Sequence, residues 1–486
     1  MPSRTLLAAA LAAFLAAGAG CTPPDAGPIA VSAVGGTPRL ANPSRDAVDP
    51  PSAYLLQTAA QGLVRFDADG DISQGLAQSW IISDDGLRYT FRLARAKWPD
   101  GTPITADEVV ARLKAVSAPG SRNPLKPAMG AVDEIVGMTE EVLEIGLKAP
   151  RPNFLQLLAQ PDLAILRNGT GAGPFRVAGQ TGGVLRLSPP KSDDEESDRR
   201  PPPDVLLRGD SAGAAIARFE QRQAALVLGG TAADLPLARA ARVPGGASLV
   251  FDPVAGLFGF AFTPVLEGPL ASADARQALS MAVDRAAIAV ALGAPNLQPR
   301  ESMLPPGVEG LAAPAVPAWT GGTMPMRRAL AARTLAPLLK GSKLHLRVAL
   351  PEGPGYRVAF AILRRDWAAI GVTAERVGPA APADLRLVDE VAPASLASWY
   401  LRHFECGGGL VCDTAADQAM EAARNAQSQD ARRAALAEAD RILAGAAPFI
   451  EIAAPVRWSL VAPRLTGFRP NPFGRHPAGE LVRGSP

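Results

Sequence analysis

Three groups of residues have the types and spacing to do chemistry. Gly209, Asp210, Ser211, Ala212 and Gly213 spell G-x-S-x-G after the apolar run Val205, Leu206, Leu207 and ahead of a helical stretch, the setting of a hydrolase nucleophile elbow. A working serine also needs an oxyanion segment and a histidine. There is no HGGG-type run, His345 falls on the polar face of a strand, His476 lies in a proline-rich tail, and His403 sits beside a cysteine pair. Ser211 is therefore the nucleophile of an alternative reading, an exported serine hydrolase; the expectation is that there are no catalytic residues and that the chain is not an enzyme. Cys406 and Cys412 flank Gly407, Gly408 and Gly409, and a glycine turn lets two cysteine Cα atoms approach to bonding distance, so the pair reads as a disulfide. With His403 it would offer a metal three ligands where structural zinc wants four, and neither metal nor cofactor is expected.

The elements that position these residues are legible as periodicities. Tyr89, Phe91 and Leu93 continue an alternation begun at Leu87, entered through the turn residues Asp84, Asp85 and Gly86, and predict a half-buried strand. Thr105 and Glu108 form a capping-box pattern ahead of a helix with Val109, Val110 and Leu113 on its apolar side. Leu143, Ile145 and Leu147 predict a second strand, and Ser272 caps a helix carrying Ala278, Leu279, Ala282 and Val283. Leu344, Leu346, Val348 and Leu350, then a helix to Ile370 stopped by Gly371, then residues 372–377 form a strand-helix-strand unit, the mark of an α/β lobe. Residues 415–444 read as helical, and the charged run at 191–200 as a solvated loop.

The chain has 486 residues, 48% of them hydrophobic, enough for more than one core. Its 49 Lys and Arg balance 47 Asp and Glu without a basic block, which removes the footprint that nucleic-acid binding needs. Arg4, an apolar run at 6–17, and Gly18, Ala19 and Gly20 before Cys21 make an export signal over 1–20. Small residues before a cysteine resemble a bacterial lipobox, so Cys21 is the expected lipid attachment site, on a periplasmic lipoprotein anchored in the membrane; Gly18 stands where leucine is usual. The oxidising compartment suits the cysteine pair.

Residues 62–110 resemble, almost position by position, a segment of the family-5 extracellular solute-binding proteins, the peptide, dipeptide and nickel binders of ABC importers. Trp80, Asp84, Asp85, Gly86, Tyr89, Trp98, Asp100, Gly101, Thr102 and Pro103 carry the match. Asn42-Pro43, GAGPFRV at 171–177, DARQALSMAVDRAAI at 274–288 and LPPG at 304–307 are further echoes. The resemblance implies an α/β fold like type II periplasmic binding proteins: two hinged lobes with an extra subdomain inserted in the first. Carried over, 21–41 is the tether and first strand, 42–168 the insertion, 169–253 the first lobe, 254–454 the second lobe, and 455–486 the return to the first. It implies a substrate-binding protein, monomeric, that captures a small solute, most simply a peptide, and hands it to permease subunits. A ligand-binding sensor or chaperone lipoprotein without transport is a further alternative.

The site residues follow from the same resemblance. Peptide binders of the family hold the ligand's amino terminus on an aspartate, since a buried ammonium needs a carboxylate. Aligned without a gap from Pro393, Asp389 falls on that aspartate, with Glu390 as substitute, although Arg386 then replaces a tryptophan; a gapped alignment puts Asp389 on the tryptophan instead. Trp399, Tyr400 and Arg402 either line the cleft or pack in the core. Val34, Gly35 and Gly36, ending the first strand, are placed to offer backbone groups, as this segment does in relatives.

Overall fold

The computed structural model describes residues 27–151, 153–190, 201–264 and 267–482. The export signal, Cys21 and the charged run at 191–200 lie outside them.

Two β-sheets organise the chain. The first has seven strands, in the order Arg176–Thr181, Val184–Ser188, Val205–Asp210, Ile29–Val34, Leu226–Thr231, Arg457–Val461 and Ser248–Asp252. Its central strand, Ile29–Val34, runs parallel to both neighbours, which buries Ile29, Val31 and Ala33. The second has five strands, Thr373–Val377, His345–Ala349, Leu385–Val391, Gly256–Phe262 and Phe449–Ala453. Every side chain of Gly256–Phe262 is buried, as the unbroken apolar run Leu257 to Phe262 requires of a strand covered on both faces.

The chain passes between the sheets twice, through residues 253–255 and again through 454–456. A four-stranded antiparallel sheet of Ala77–Ile82, Arg88–Leu93, Val142–Leu147 and Val132–Gly137 has its own core around Phe91, Leu143, Ile145 and Phe154. Its strand Arg88–Leu93 buries Tyr89, Phe91 and Leu93 in the alternation expected of one covered face.

Thr105 caps the helix Ala106–Val116 by accepting from the Glu108 amide at 3.4 Å. Glu108 does not complete the capping box. Its carboxylate accepts instead from the Trp98 indole N–H at 2.8 Å and pairs with Arg167 at 3.2 Å, because a largely buried indole donor needs an acceptor. In the second lobe His345–Ala349 and Thr373–Val377 are parallel, joined by the helix Pro354–Ala368, which starts three residues before Arg357. The helical stretch near the C-terminus is two helices, Thr414–Asn425 and Gln429–Ala446, the second capped by Ser428.

Candidate functional site

The strand Leu385–Val391 lies beside Gly256–Phe262 in the second sheet, so Asp389, opposite Phe258, sits next to the point where the chain crosses from one lobe to the other. Arg457 opens the first-lobe strand that follows the return crossing. The two side chains meet: Arg457 Nη1 lies 2.7 Å from Asp389 Oδ1, and Nη2 donates to the Asp389 carbonyl at 3.0 Å. Tyr356, near the start of the helix Pro354–Ala368, donates its hydroxyl to Asp389 Oδ2 at 2.7 Å. Burial, then the charge of Asp389, raises the Tyr356 pKa, which keeps the phenol a donor. The Asp389 side chain is 5% exposed and both of its oxygens are engaged within the protein.

Glu390 faces the other way, its side chain 58% exposed, and reaches His403 Nε2 at 3.1 Å. The hydrogen bond from His403 holds the Glu390 carboxyl below its ordinary range. Burial works against a charged His403, but the bond and charge of Glu390 outweigh it and raise the imidazole pKa. Since Nδ1 faces the Trp399 carbonyl at 2.9 Å, each ring nitrogen meets an acceptor, and only the imidazolium donates to both. Trp399 is half-buried, edge-on to Tyr400 at 4.9 Å and to His403 at 4.6 Å. Tyr400 is 1% exposed in the helical core of the second lobe, behind Trp399. Arg402 is partly buried, 3.8 Å from Glu405.

Val34, Gly35 and Gly36 lie on the first lobe, and the N–H groups of both glycines have partners. Gly35 N–H donates to the Asp210 carbonyl at 2.9 Å and Gly36 N–H to the Asp49 carboxylate at 2.8 Å. Asp49 also caps the helix Pro50–Ala59. The lobes touch again where Gly355 N–H donates to the Ala233 carbonyl at 2.8 Å. On the far rim, Asn153 and Gln160 of the four-stranded unit donate to the carbonyls of Ser395 and Pro393, each at 2.7 Å. Gln160 also receives Arg475 at 3.1 Å, at an open recess lined by Gln57, Arg65 and Pro174. Burial lowers the Arg475 pKa, and its Nε–H has no hydrogen-bond partner.

The GDSAG segment is accounted for locally. A Cβ on Gly209 would lie 1.6 Å from the Gly36 carbonyl oxygen, so the close approach of that backbone demands glycine. Asp210 accepts from Ser32 and lies between Arg208 and Arg218. Ser211 caps the helix Ala212–Glu220, accepting from Ala214 N–H at 3.4 Å. The histidines are bound elsewhere: His345 to Thr373, His403 to Glu390 and His476 to Asp252. Cys406 and Cys412 are disulfide-bonded, Cα atoms 5.1 Å apart. Among the described residues, no three His, Cys, Asp or Glu are grouped to hold a metal, and no helix is long and apolar enough to cross a membrane.

Residues 71–404 match the model of the bacterial extracellular solute-binding proteins, family 5. The chain belongs to that family. The glutathione-binding protein GsiB of Pectobacterium atrosepticum is 31% identical over 187 residues, 36% of this chain and 35% of that protein. The periplasmic oligopeptide-binding protein OppA of Escherichia coli K12 is 30% identical over 129 residues, 23% of this chain and 24% of that one. The matched stretches thus span about a third or less of these curated relatives. Among solved structures, Haemophilus influenzae OppA in complex with RPPGFSPFR is similar with a TM-score of 0.79 at 17% identity, covering 93% of this chain and 98% of that one. The murein tripeptide binding protein MppA of Escherichia coli gives 0.78 at 20% identity, with 93% and 98% covered, while its unliganded open form gives 0.66. The fold is that of the type II periplasmic binding proteins.

Arg457 and Tyr356 did not emerge from sequence reading. An arginine between Val456 and Trp458, opening a mostly apolar strand, is the available signal.

Proposed function

We propose that this family-5 protein is the substrate-binding component of an ABC importer, capturing a small solute, most simply a peptide, between its lobes and delivering it to a membrane permease. The reading also holds that it acts by binding without turnover, as a monomer. It is held at the periplasmic face of a membrane by lipid on Cys21. The observation that carries it is the junction itself: among the described residues two sheets are linked by two short crossings, and charged side chains from both lobes meet there as Asp389 and Arg457. Such an architecture closes on a ligand as two bodies on a hinge, and a permease can tell closed from open. The peptide class draws support from relatives whose names specify glutathione, oligopeptide and murein tripeptide. In this reading Asp389, Glu390, Trp399 and Arg402 form the second-lobe wall, backed by Tyr400, and Val34, Gly35 and Gly36 the facing edge. The domain boundaries of this reading fall at 41/42, 168/169, 253/254 and 454/455.

The test is a thermal-shift screen of the stripped protein against a peptide library, because a ligand that binds only the folded state raises its melting temperature. A rise that saturates with ligand concentration is expected. If no peptide moves the transition, peptides are wrong as the solute class.

A further inference from the structure

In the solute-capture reading Asp389 is the carboxylate that would receive a ligand ammonium, yet it already has a cation. Arg457 approaches Oδ1 at 2.7 Å and anchors its other nitrogen on the Asp389 carbonyl, while Tyr356 takes Oδ2. With its side chain 5% exposed, this carboxylate is neutralised inside the protein. An ammonium arriving from solution would have to displace a guanidinium tethered in the same chain. It would leave Arg457, its side chain only 19% exposed, without its carboxylate, or place two cations on one buried anion. The next carboxylate, Glu390, is largely in water and already serves His403, so it offers a weak and well-screened alternative.

We propose that Arg457 is a specificity-determining residue: it is a built-in counter-ion for Asp389, so that the cleft prefers solutes whose terminal nitrogen is uncharged, such as N-acylated peptides, over the same peptides with a free ammonium. This rests on the solute-capture reading above and narrows it.

The experiment is calorimetric titration of matched di- and tripeptides, each with a free and an acetylated amino terminus, into the wild-type protein, Arg457→Gln and Arg457→Lys. The wild type binds the acetylated member of each pair more tightly. Arg457→Gln shifts the ratio toward the free amine by about tenfold or more, because Asp389 then lacks its cation. Arg457→Lys, which retains a charge, keeps the wild-type preference; a merely structural role for Arg457 would move both members of a pair alike in either variant. Tighter binding of free-amino peptides by the wild type overturns the inference and leaves solute capture standing, and it does so even if Arg457→Gln fails to fold. An unchanged ratio in folded Arg457→Gln also overturns it. If no peptide binds any of the three proteins, the capture of peptides fails and the inference with it.

Discussion

Ser211 is the residue whose role decides between binding and hydrolysis. Its oxygen accepts from Ala214 N–H at the head of a helix, so Ser211→Ala should remove a cap and cost about 1 kcal/mol while leaving ligand affinity unchanged. A fluorophosphonate probe should leave Ser211 unlabelled; ligand-blocked labelling there would reinstate the hydrolase. His403 carries a pH dependence. Its folded pKa is raised, so its contribution to stability is present below the unfolded value of about 6.5 and is lost as the pH climbs through the folded value. Glu390, lowered, contributes above about 4.5 and loses that as the pH falls. The pair therefore supports the fold best between those limits. Glu451, pushed up to about 7 by burial, also disfavours the folded state at higher pH, so the effect is read as a difference. Melting temperature measured from pH 5 to 8 should fall less steeply in His403→Gln than in the wild type. Parallel curves would show that the His403–Glu390 pair does not contribute.

At the scale of elements, the contact between the strand-to-helix segment of the first lobe and the start of the second lobe's helix Pro354–Ala368 is tight enough to be tested. A Cβ on Gly355 would lie 1.9 Å from the Ala232 carbonyl oxygen, on the opposite lobe. Gly355→Ala should thus force the helix start away from the Ala232–Ala233 segment, inside the buried cluster that both lobes share, weakening ligand binding by about tenfold, or ~1.4 kcal/mol, with an unchanged circular dichroism spectrum. Wild-type affinity in this variant would mean that the contact plays no part in closure. Elements such as Arg88–Leu93 were readable because one face is buried, and burial writes its period of two into Tyr89, Phe91 and Leu93. Strand pairing is less local, and the site is less local still. Asp389 could be singled out only through a family likeness; its partners, Tyr356 and Arg457, lie 33 residues before it and 68 after it, and only the folded sheets bring them together. The GDSAG segment is the converse case, where a chemical pattern arises from a close backbone approach at Gly209 and a cap at Ser211.

For the molecule as a whole, the lobes meet at the crossings, at Gly355 and Ala233, and at the rim where Asn153 and Gln160 hold the segment around Ser395. Apolar packing joins the lobes as well: Ala232, Ala233 and Leu235 share one buried cluster with Phe258, Tyr356 and Ala359, and Ala394 and Leu396 pack with the core of the four-stranded unit. Under the proposed function this body binds its solute and returns it unaltered. The most direct measurement is a calorimetric titration of the stripped protein with the best ligand from the thermal-shift screen, followed by mass analysis of the recovered solute. Saturable binding at one solute per chain, with the solute's mass unchanged after prolonged incubation, is the predicted result. Absence of saturable binding, or recovery of a cleaved product, would contradict it.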